Sequence, residues 1–415
     1  MTQWAPVWRV KIDGTDVTDS VLANLTITSG RTNIYEQAQA GYCSVTLIVF
    51  GQAALPYEIN DTISIEVQDT SAVYVPIFGG SVVDIAVSVS QVGSSAYTQE
   101  VTITALGALA RLQKALTDGV LTQDFDGNQI ETILQEVLLS QWQQVPAALQ
   151  WNTYDPTTTW ANAGNNGIGE IDTPGNYELA QRSSNRVVIY DLVAALATSG
   201  LGYLYESASG LISYADSTHR TNYLAANGYT DLTANHALGQ GITIKTRAGD
   251  VRNDVTISYG VNSASEVSDT DPASIAIYGN LSQIITTTIK HLPDATDQAA
   301  FYLALRAYPQ PIFDSITYAL TNPELDNGDR DALINIFMGQ PIALNNLPPN
   351  MSSGVFQGFV EGWTFRASYN QLDVTLLMSP LAYSLQAMRW NDVPINEQWN
   401  TVSPTLEWQY ATIVS

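Results

Sequence analysis

Trp142, Trp151, Tyr154 and Trp160 share one stretch of chain with three carboxylates, Asp155, Glu170 and Asp172. Aromatic faces stack on sugar rings, and a pair of carboxyl groups can flank a glycosidic bond. This stretch, residues 142–186, is therefore where a glycan could bind or be cleaved. Cleavage needs two carboxyls at a fixed separation, and no such spacing shows here. Trp and Tyr are equally the favoured anchors of protein interfaces, so subunit contact is the leading reading. Receptor or glycan binding, with weak hydrolase activity, is the alternative. Trp390, Trp399 and Trp408 recur every nine residues in a Pro- and Asn-rich tail. They read as an arm reaching a neighbouring subunit.

Other chemistry is sparse. Asp124-Phe125-Asp126-Gly127-Asn128 with Glu131 is a partial match to a calcium loop, but the twelve-residue ligand spacing is missing. A turn capping the next helix accounts for it more simply. His219, His236 and His291 have no ligand spacing and read as surface or hydrogen-bonded residues. There is no phosphate-binding loop, no Gly-x-Ser-x-Gly, no His-Glu-x-x-His and no paired cysteine motif. The expectation is a protein without catalytic residues, metal or cofactor.

Bulk composition narrows the class further. Charged residues are 13% of the chain, about half the ~25% of an ordinary soluble domain. Thr, Ser, Asn, Gln and Tyr supply the polarity instead, which suits packing against other subunits. The net charge of −24 argues against nucleic-acid binding, which depends on Lys and Arg neutralising phosphates. An acidic surface would keep passing DNA from sticking. The single cysteine, Cys43, allows no internal disulfide and sits in an apolar run. Met1–Lys11 lacks the pattern of a secretory signal. Val187–Tyr205 is the nearest approach to a membrane span, but Asp191 and Thr198-Ser199-Gly200 interrupt it. A soluble chain of cytoplasmic origin, not inserted in a membrane, is expected.

These residues must be held by a mainly β protein. Residues 1–107 show short alternating strands: Trp8–Ile12 before an Asp13-Gly14 turn, Leu25–Thr28, Ser44–Phe50, Thr62–Val67, Val82–Val89 and Glu100–Ala105. Residues 108–240 form a middle region with an α+β pattern. Helices are expected over Ala108–Leu116, Gln129–Gln141 and Val187–Thr198, and a hairpin over Gly202–Tyr214. From 241 to 388 strands resume, with helices over Asp294–Tyr308, where Asp294 is the expected cap, and Asp329–Phe337. Residues 260–280 read as a polar loop, and 389–415 as the Trp-bearing arm.

A pattern recurs across the two β-rich stretches. Ile59-Asn60-Asp61-Thr62-Ile63-Ser64-Ile65, Phe78-Gly79-Gly80-Ser81-Val82 and Glu100-Val101-Thr102-Ile103 follow one another in the first. Met338-Gly339-Gln340-Pro341-Ile342-Ala343-Leu344, Phe356-Gln357-Gly358-Phe359-Val360 and Asp373-Val374-Thr375-Leu376 follow in the same order in the second. Order as well as content is preserved, which points to duplication. The fold expected is two related β-barrel-like modules separated by a helix-containing middle region.

Phe78-Gly79-Gly80-Ser81-Val82-Val83-Asp84, with Val101-Thr102-Ile103-Thr104-Ala105-Leu106-Gly107-Ala108-Leu109-Ala110, resembles the central hub protein of bacteriophage tail tips and baseplates. Val187–Tyr214 is similar to the middle region of that family, and Trp390-Asn391-Asp392-Val393-Pro394 with Trp399 and Trp408 to the end of actinophage minor tail proteins. The resemblance implies a structural virion protein at the tail tip of a long-tailed phage. It implies a homotrimer around a DNA channel, in contact with the distal tail ring protein, the tape-measure protein and tip or fibre proteins.

Overall fold

The computed structural model describes residues 4–17, 21–50, 54–89, 98–143, 168–238, 243–309, 311–348, 354–368 and 370–380. The first half supplies β1 (Trp8–Ile12), β2 (Val21–Gly30), β3 (Tyr42–Phe50), β4 (Thr62–Gln68), β5 (Tyr74–Val89) and β6 (Thr98–Leu106). Asp13 and Gly14 both have positive φ, so the turn that closes β1 onto Thr15–Asp16 is of the kind that matches strand twist. Buried residues alternate along β3 and β6, as in strands with one face on a core.

The middle region contains α1 (Leu109–Lys114), α2 (Asp126–Gln143), β7 (Ile168–Ile171), α3 (Ile189–Ser199), the hairpin β8 (Tyr203–Glu206) and β9 (Ile212–Ala215), and α4 (His219–Asn227). The expected helices and hairpin are there, within a few residues at their ends. α4 was not anticipated, because its apolar content is low and no apolar stripe marks it. No helix among the described residues is long and apolar enough to cross a membrane.

The second half runs through β10 (Thr230–Thr233), β11 (Thr243–Thr246), β12 (Asp254–Tyr259), β13 (Ser265–Thr270), α5 (Pro272–Tyr278), β14 (Ser282–Thr286) and α6 (Leu292–Arg306). It ends in β15 (Pro311–Ala319), α7 (Asn327–Ile334), β16 (Pro341–Asn345), β17 (Phe356–Ser368) and β18 (Gln371–Pro380). The stretch 260–280 is not the polar loop expected. It carries β13 and α5, the latter started by Asp271, whose side chain accepts from Ala273 and Ser274 N–H, with Pro272 in the first turn. α6 starts after His291, so Asp294 lies in its first turn and does not cap it.

Thirteen of the described strands form one sheet. One half has the order β2-β3-β6-β5-β4-β1 and the other β11-β15-β18-β17-β16-β10, and the halves meet where β17 pairs antiparallel with β2. No pairing among the described strands closes either half into a barrel.

The two halves repeat one another in register. Phe78 lies opposite Ile65 and Gly80 opposite Ile63, while Phe356 lies opposite Leu344 and Gly358 opposite Ile342. Val82 pairs with Ala105 and Val360 with Met378, and after each of these valines the ladder skips one residue. Thr46 and Thr102 face each other with hydroxyls 3.1 Å apart, as do Thr317 and Thr375 at 2.8 Å. Both Phe-x-Gly glycines are needed sterically. A Cβ at Gly80 or Gly358 would lie 2.3 or 2.2 Å from the carbonyl oxygen of Leu106 or Ser379.

Candidate functional site

Of the residues singled out by sequence, Trp142 lies on the last turn of α2. Its side chain, and all of Trp151, Tyr154, Asp155, Trp160, Trp390, Trp399 and Trp408, lie outside the described residues. Glu170 and Asp172 are described, and the fold brings them together with His219, which sequence distance had kept apart. With Asp216, Asn222 and Tyr223 they line an open groove of about 430 Å³ beside α4.

Inside this groove Asp172, Asp216 and His219 are already engaged with one another and with backbone N–H groups. His219 Nδ1 lies 2.8 Å from Asp172 Oδ2, which also accepts the Asp216 N–H at 3.0 Å. Asp216 Oδ1 in turn accepts the N–H groups of Thr218 and His219 at 2.8 and 3.0 Å, which secures the start of α4. Burial alone would raise the Asp172 carboxyl, but the hydrogen bond to His219 and the Asp216 N–H bring it below its ordinary value. The hydrogen bond to Asp172 raises His219 against the opposing effect of burial. The Asp–His pair therefore stitches β7 to α4. Asp126, from the partial calcium motif, begins α2 and is fully buried. Its carboxylate accepts the Tyr177 N–H at 2.8 Å and the Tyr214 hydroxyl. No cluster of three metal-ligating side chains occurs among the described residues.

The most strongly bound charges lie at the junction of the two halves. Glu361 is the residue skipped by the ladder after Val360, at the point where β17 leaves β16 for β2. Such a bulge turns its side chain inward, and it is 2% exposed. Arg31, one residue past β2, donates from Nε to Glu361 Oε2 at 2.6 Å, and its N–H donates to the Glu361 carbonyl at 2.8 Å. Arg220 of α4 donates through Nη1 to Oε1 at 2.7 Å and through Nη2 to Oε2 at 3.0 Å. Ser379 of β18 donates to Oε1 as well. The Arg220 guanidinium lies 4.4 Å from the Tyr203 ring centre and 5.2 Å from that of Phe359. Burial would raise the Glu361 carboxyl, but the two guanidiniums outweigh it and hold it down at about 2. One carboxylate thus ties together the first half, the middle region and the second half of the chain.

A second pin holds the middle region to the first half. The Glu206 carboxylate, at the end of β8, accepts the N–H groups of Gly41 and of Leu109, the latter at 3.0 Å. Burial, opposed by these bonds, pushes it up to about 7. Gly107 closes the same corner, donating to the Gly41 carbonyl at 2.8 Å, and a Cβ there would strike the Glu206 carboxylate.

Sequence reading missed both pins because Glu361 lies 330 and 141 residues from its two arginines, and Glu206 lies 165 and 97 residues from Gly41 and Leu109. The available signal was a charge beside glycine within an apolar strand, Phe359-Val360-Glu361-Gly362-Trp363, which is how a bulge reads.

This architecture is shared with solved tail proteins. A 43 kDa tail protein of prophage MuSo2 from Shewanella oneidensis superposes with a TM-score of 0.54 at 12% identity, covering 91% of this chain and 99% of that one. A tail protein from Neisseria meningitidis MC58 gives 0.59 at 10% identity, covering 92% and 98%. The chain therefore shares its fold with these two tail proteins, over nearly the full length of each. No protein-family model matches the sequence, and neither does any curated protein.

Proposed function

We propose that the chain is a structural, non-enzymatic subunit of a phage tail tip, the central hub that joins the end of the tail tube to tip or fibre proteins around a DNA channel. The observation that carries this reading is the in-register duplication. Three chains with two like modules each present six similar units in a ring, which is the geometry needed to pass from a six-fold tube to a three-fold tip. Support comes from the tail-protein fold, from a surface short of charge, and from the net charge of −24, which repels a DNA backbone. The distal tail ring protein, the tape-measure protein and tip proteins are the partners in this reading. Trp142, Trp151, Tyr154, Trp160, Trp390, Trp399 and Trp408 serve as contacts with them or between copies. Chain 1–107 and chain 241–388 are the hub modules, with 108–240 between them and 389–415 as the arm.

Native mass spectrometry and electron microscopy of the purified chain test the proposal. A trimeric ring with an axial opening is expected. A monomer that binds or cleaves polysaccharide would replace it with the receptor-binding reading. Deleting 390–415 tests the arm separately: an equally stable product of unchanged mass would remove it.

A further inference from the structure

Arg330 of α7 is 4% exposed, and its guanidinium is held by uncharged oxygens. Nε donates to the Leu320 carbonyl at 2.7 Å, and Nη2 to those of Asn322 and Leu325 at 3.2 and 3.0 Å. Nη1 donates to Asn327 Oδ1 at 3.0 Å. No carboxylate among the described residues pairs with it. Asp326, Asp329 and Asp331 stand at or on the same helix, but they meet the Asp329 N–H, His236 and Thr70 in that order. Arg31 and Arg220, by contrast, share the Glu361 carboxylate. A buried cation without a paired counter-charge is costly to the fold.

The residue placed to supply that charge is Asn327. It is followed by glycine, and the pair stands exposed in the first turn of α7. An Asn side chain is modified without an enzyme when the next backbone nitrogen attacks its Cγ, and glycine leaves that nitrogen sterically open. The Gly328 N–H belongs to the first turn, where no carbonyl four residues back receives it. The Asp326 cap accepts from Asp329 instead, at 2.8 Å. A guanidinium has donors only, so Arg330 polarises the Asn327 amide carbonyl and stabilises the negative charge that develops on its oxygen during attack.

Asn227-Gly228 is the other Asn-Gly step among the described residues, exposed as well but held differently. The Gly228 N–H closes α4 on the Leu224 carbonyl at 2.8 Å, and Asn227 Nδ2 donates to the Tyr223 carbonyl at 3.0 Å. There the attacking nitrogen is tied down, and no guanidinium among the described residues holds the amide oxygen.

We propose that Asn327 is a self-modification site, converting to aspartate and so giving Arg330 the carboxylate it lacks. Gly328 N gives up its proton to hydroxide and bonds to Asn327 Cγ; the amide nitrogen leaves as ammonia, and a five-membered imide remains. Water then breaks the new N–Cγ bond, which restores the main chain of α7 and leaves a carboxylate on residue 327. That carboxylate faces Arg330 as a charge-assisted pair, stronger than the amide contact it replaces. The same helix clasps the first half of the chain. Asp331 accepts from Thr70 N and Oγ1 at 2.8 and 2.5 Å, in the turn between β4 and β5, and the Arg330 guanidinium lies 5.4 Å from the Trp4 ring centre. The conversion therefore tightens, once and irreversibly, the hold of α7 on that turn and on the N-terminal segment.

The full chain is incubated at neutral pH, and its proteolytic peptides are followed by mass spectrometry. Residue 327 should pass from amide to acid at least about ten times faster than residue 227, chiefly as the aspartyl form. An amide that persists at 327, or equal rates at the two sites, overturns the proposal. Urea midpoints give a second measure. Asn327→Asp should raise the midpoint of the native chain and should have no such effect beside Arg330→Gln. Asn327→Gln, which keeps an amide, should stay at or below the native midpoint and show no drift on storage. An equal rise with and without Arg330 would assign the gain to the helix dipole and overturn the counter-charge role. The rate comparison decides even where Arg330→Gln does not fold.

Discussion

Asn60 and Gly339 occupy one and the same position of the fold, met twice. Each has positive φ, 82° and 89°, and each donates its N–H to the carbonyl of the valine before the bulge, Val82 at 2.8 Å and Val360 at 2.7 Å. Asn tolerates this left-handed backbone, and glycine adopts it freely. The difference lies in the surroundings, since a Cβ at Gly339 would stand 2.2 Å from the Tyr203 hydroxyl.

Gly339→Ala is expected to cost more than about 1 kcal/mol, whereas Asn60→Gly should change stability by less than that. Urea unfolding measures both. Adding Tyr203→Phe to Gly339→Ala should lose less than the two single changes together, because the clashing oxygen is gone. Strict additivity would show that the hydroxyl is not the obstacle.

Glu361→Gln removes the carboxylate and leaves Arg31 and Arg220 buried without their counter-charge. A loss of about 3–5 kcal/mol is expected. The folded carboxyl lies near 2, below its ordinary value of 4.5. Its contribution is therefore complete above pH 4.5 and is lost as pH falls toward 2. Unfolding midpoints for the native chain and the variant should converge over that acid range; parallel curves would contradict the assignment.

Glu206 has the opposite sign. Its folded value of about 7 lies above the ordinary 4.5, so the folded state holds the proton more tightly. Stability is greatest below pH 4.5, falls as pH rises through 7 and levels off above it. At about 1.4 kcal/mol per unit the full swing is roughly 3 kcal/mol. Glu206→Gln should flatten the profile between pH 5 and 8, which thermal melts across that range will show. A native profile already flat there would dismiss the role of this carboxyl.

Asp271→Ala removes the cap of α5, whose side chain accepts two backbone N–H groups at 2.9 Å. About 1 kcal/mol should be lost. Hydrogen exchange of Ala273 and Ser274 should quicken, while that of Ile27 in the central sheet should not.

That cap also shows where sequence reading fell short. Asp271-Pro272 is a helix-start signal, and Glu266-Val267-Ser268-Asp269 alternates only weakly, so a polar surface strand and a seven-residue helix passed for a loop. The repeat was legible because Phe-x-Gly and the Val-Thr-Ile and Val-Thr-Leu segments are local patterns with period two. Even its register could be read, because Gly80 and Gly358 sit at fixed offsets from their phenylalanines. The groove beside α4 was half legible: Glu170 and Asp172 stood out as carboxylates, but their partner His219 lies 47 residues beyond Asp172. The Glu361 pin was not legible, since it depends on which strands become neighbours, and no local pattern encodes that.

The pairing of β2 with β17 also sets an order in time. Thr28 meets Thr364, 336 residues later. At roughly 5–20 residues per second on the ribosome, the strand that joins the halves arrives tens of seconds after the strand it must meet. During that interval the nascent first half carries an open β2 edge, and a second nascent copy on the same message could occupy it first. The Arg31–Glu361 contact, which spans the same junction, therefore forms only once β17 has been made.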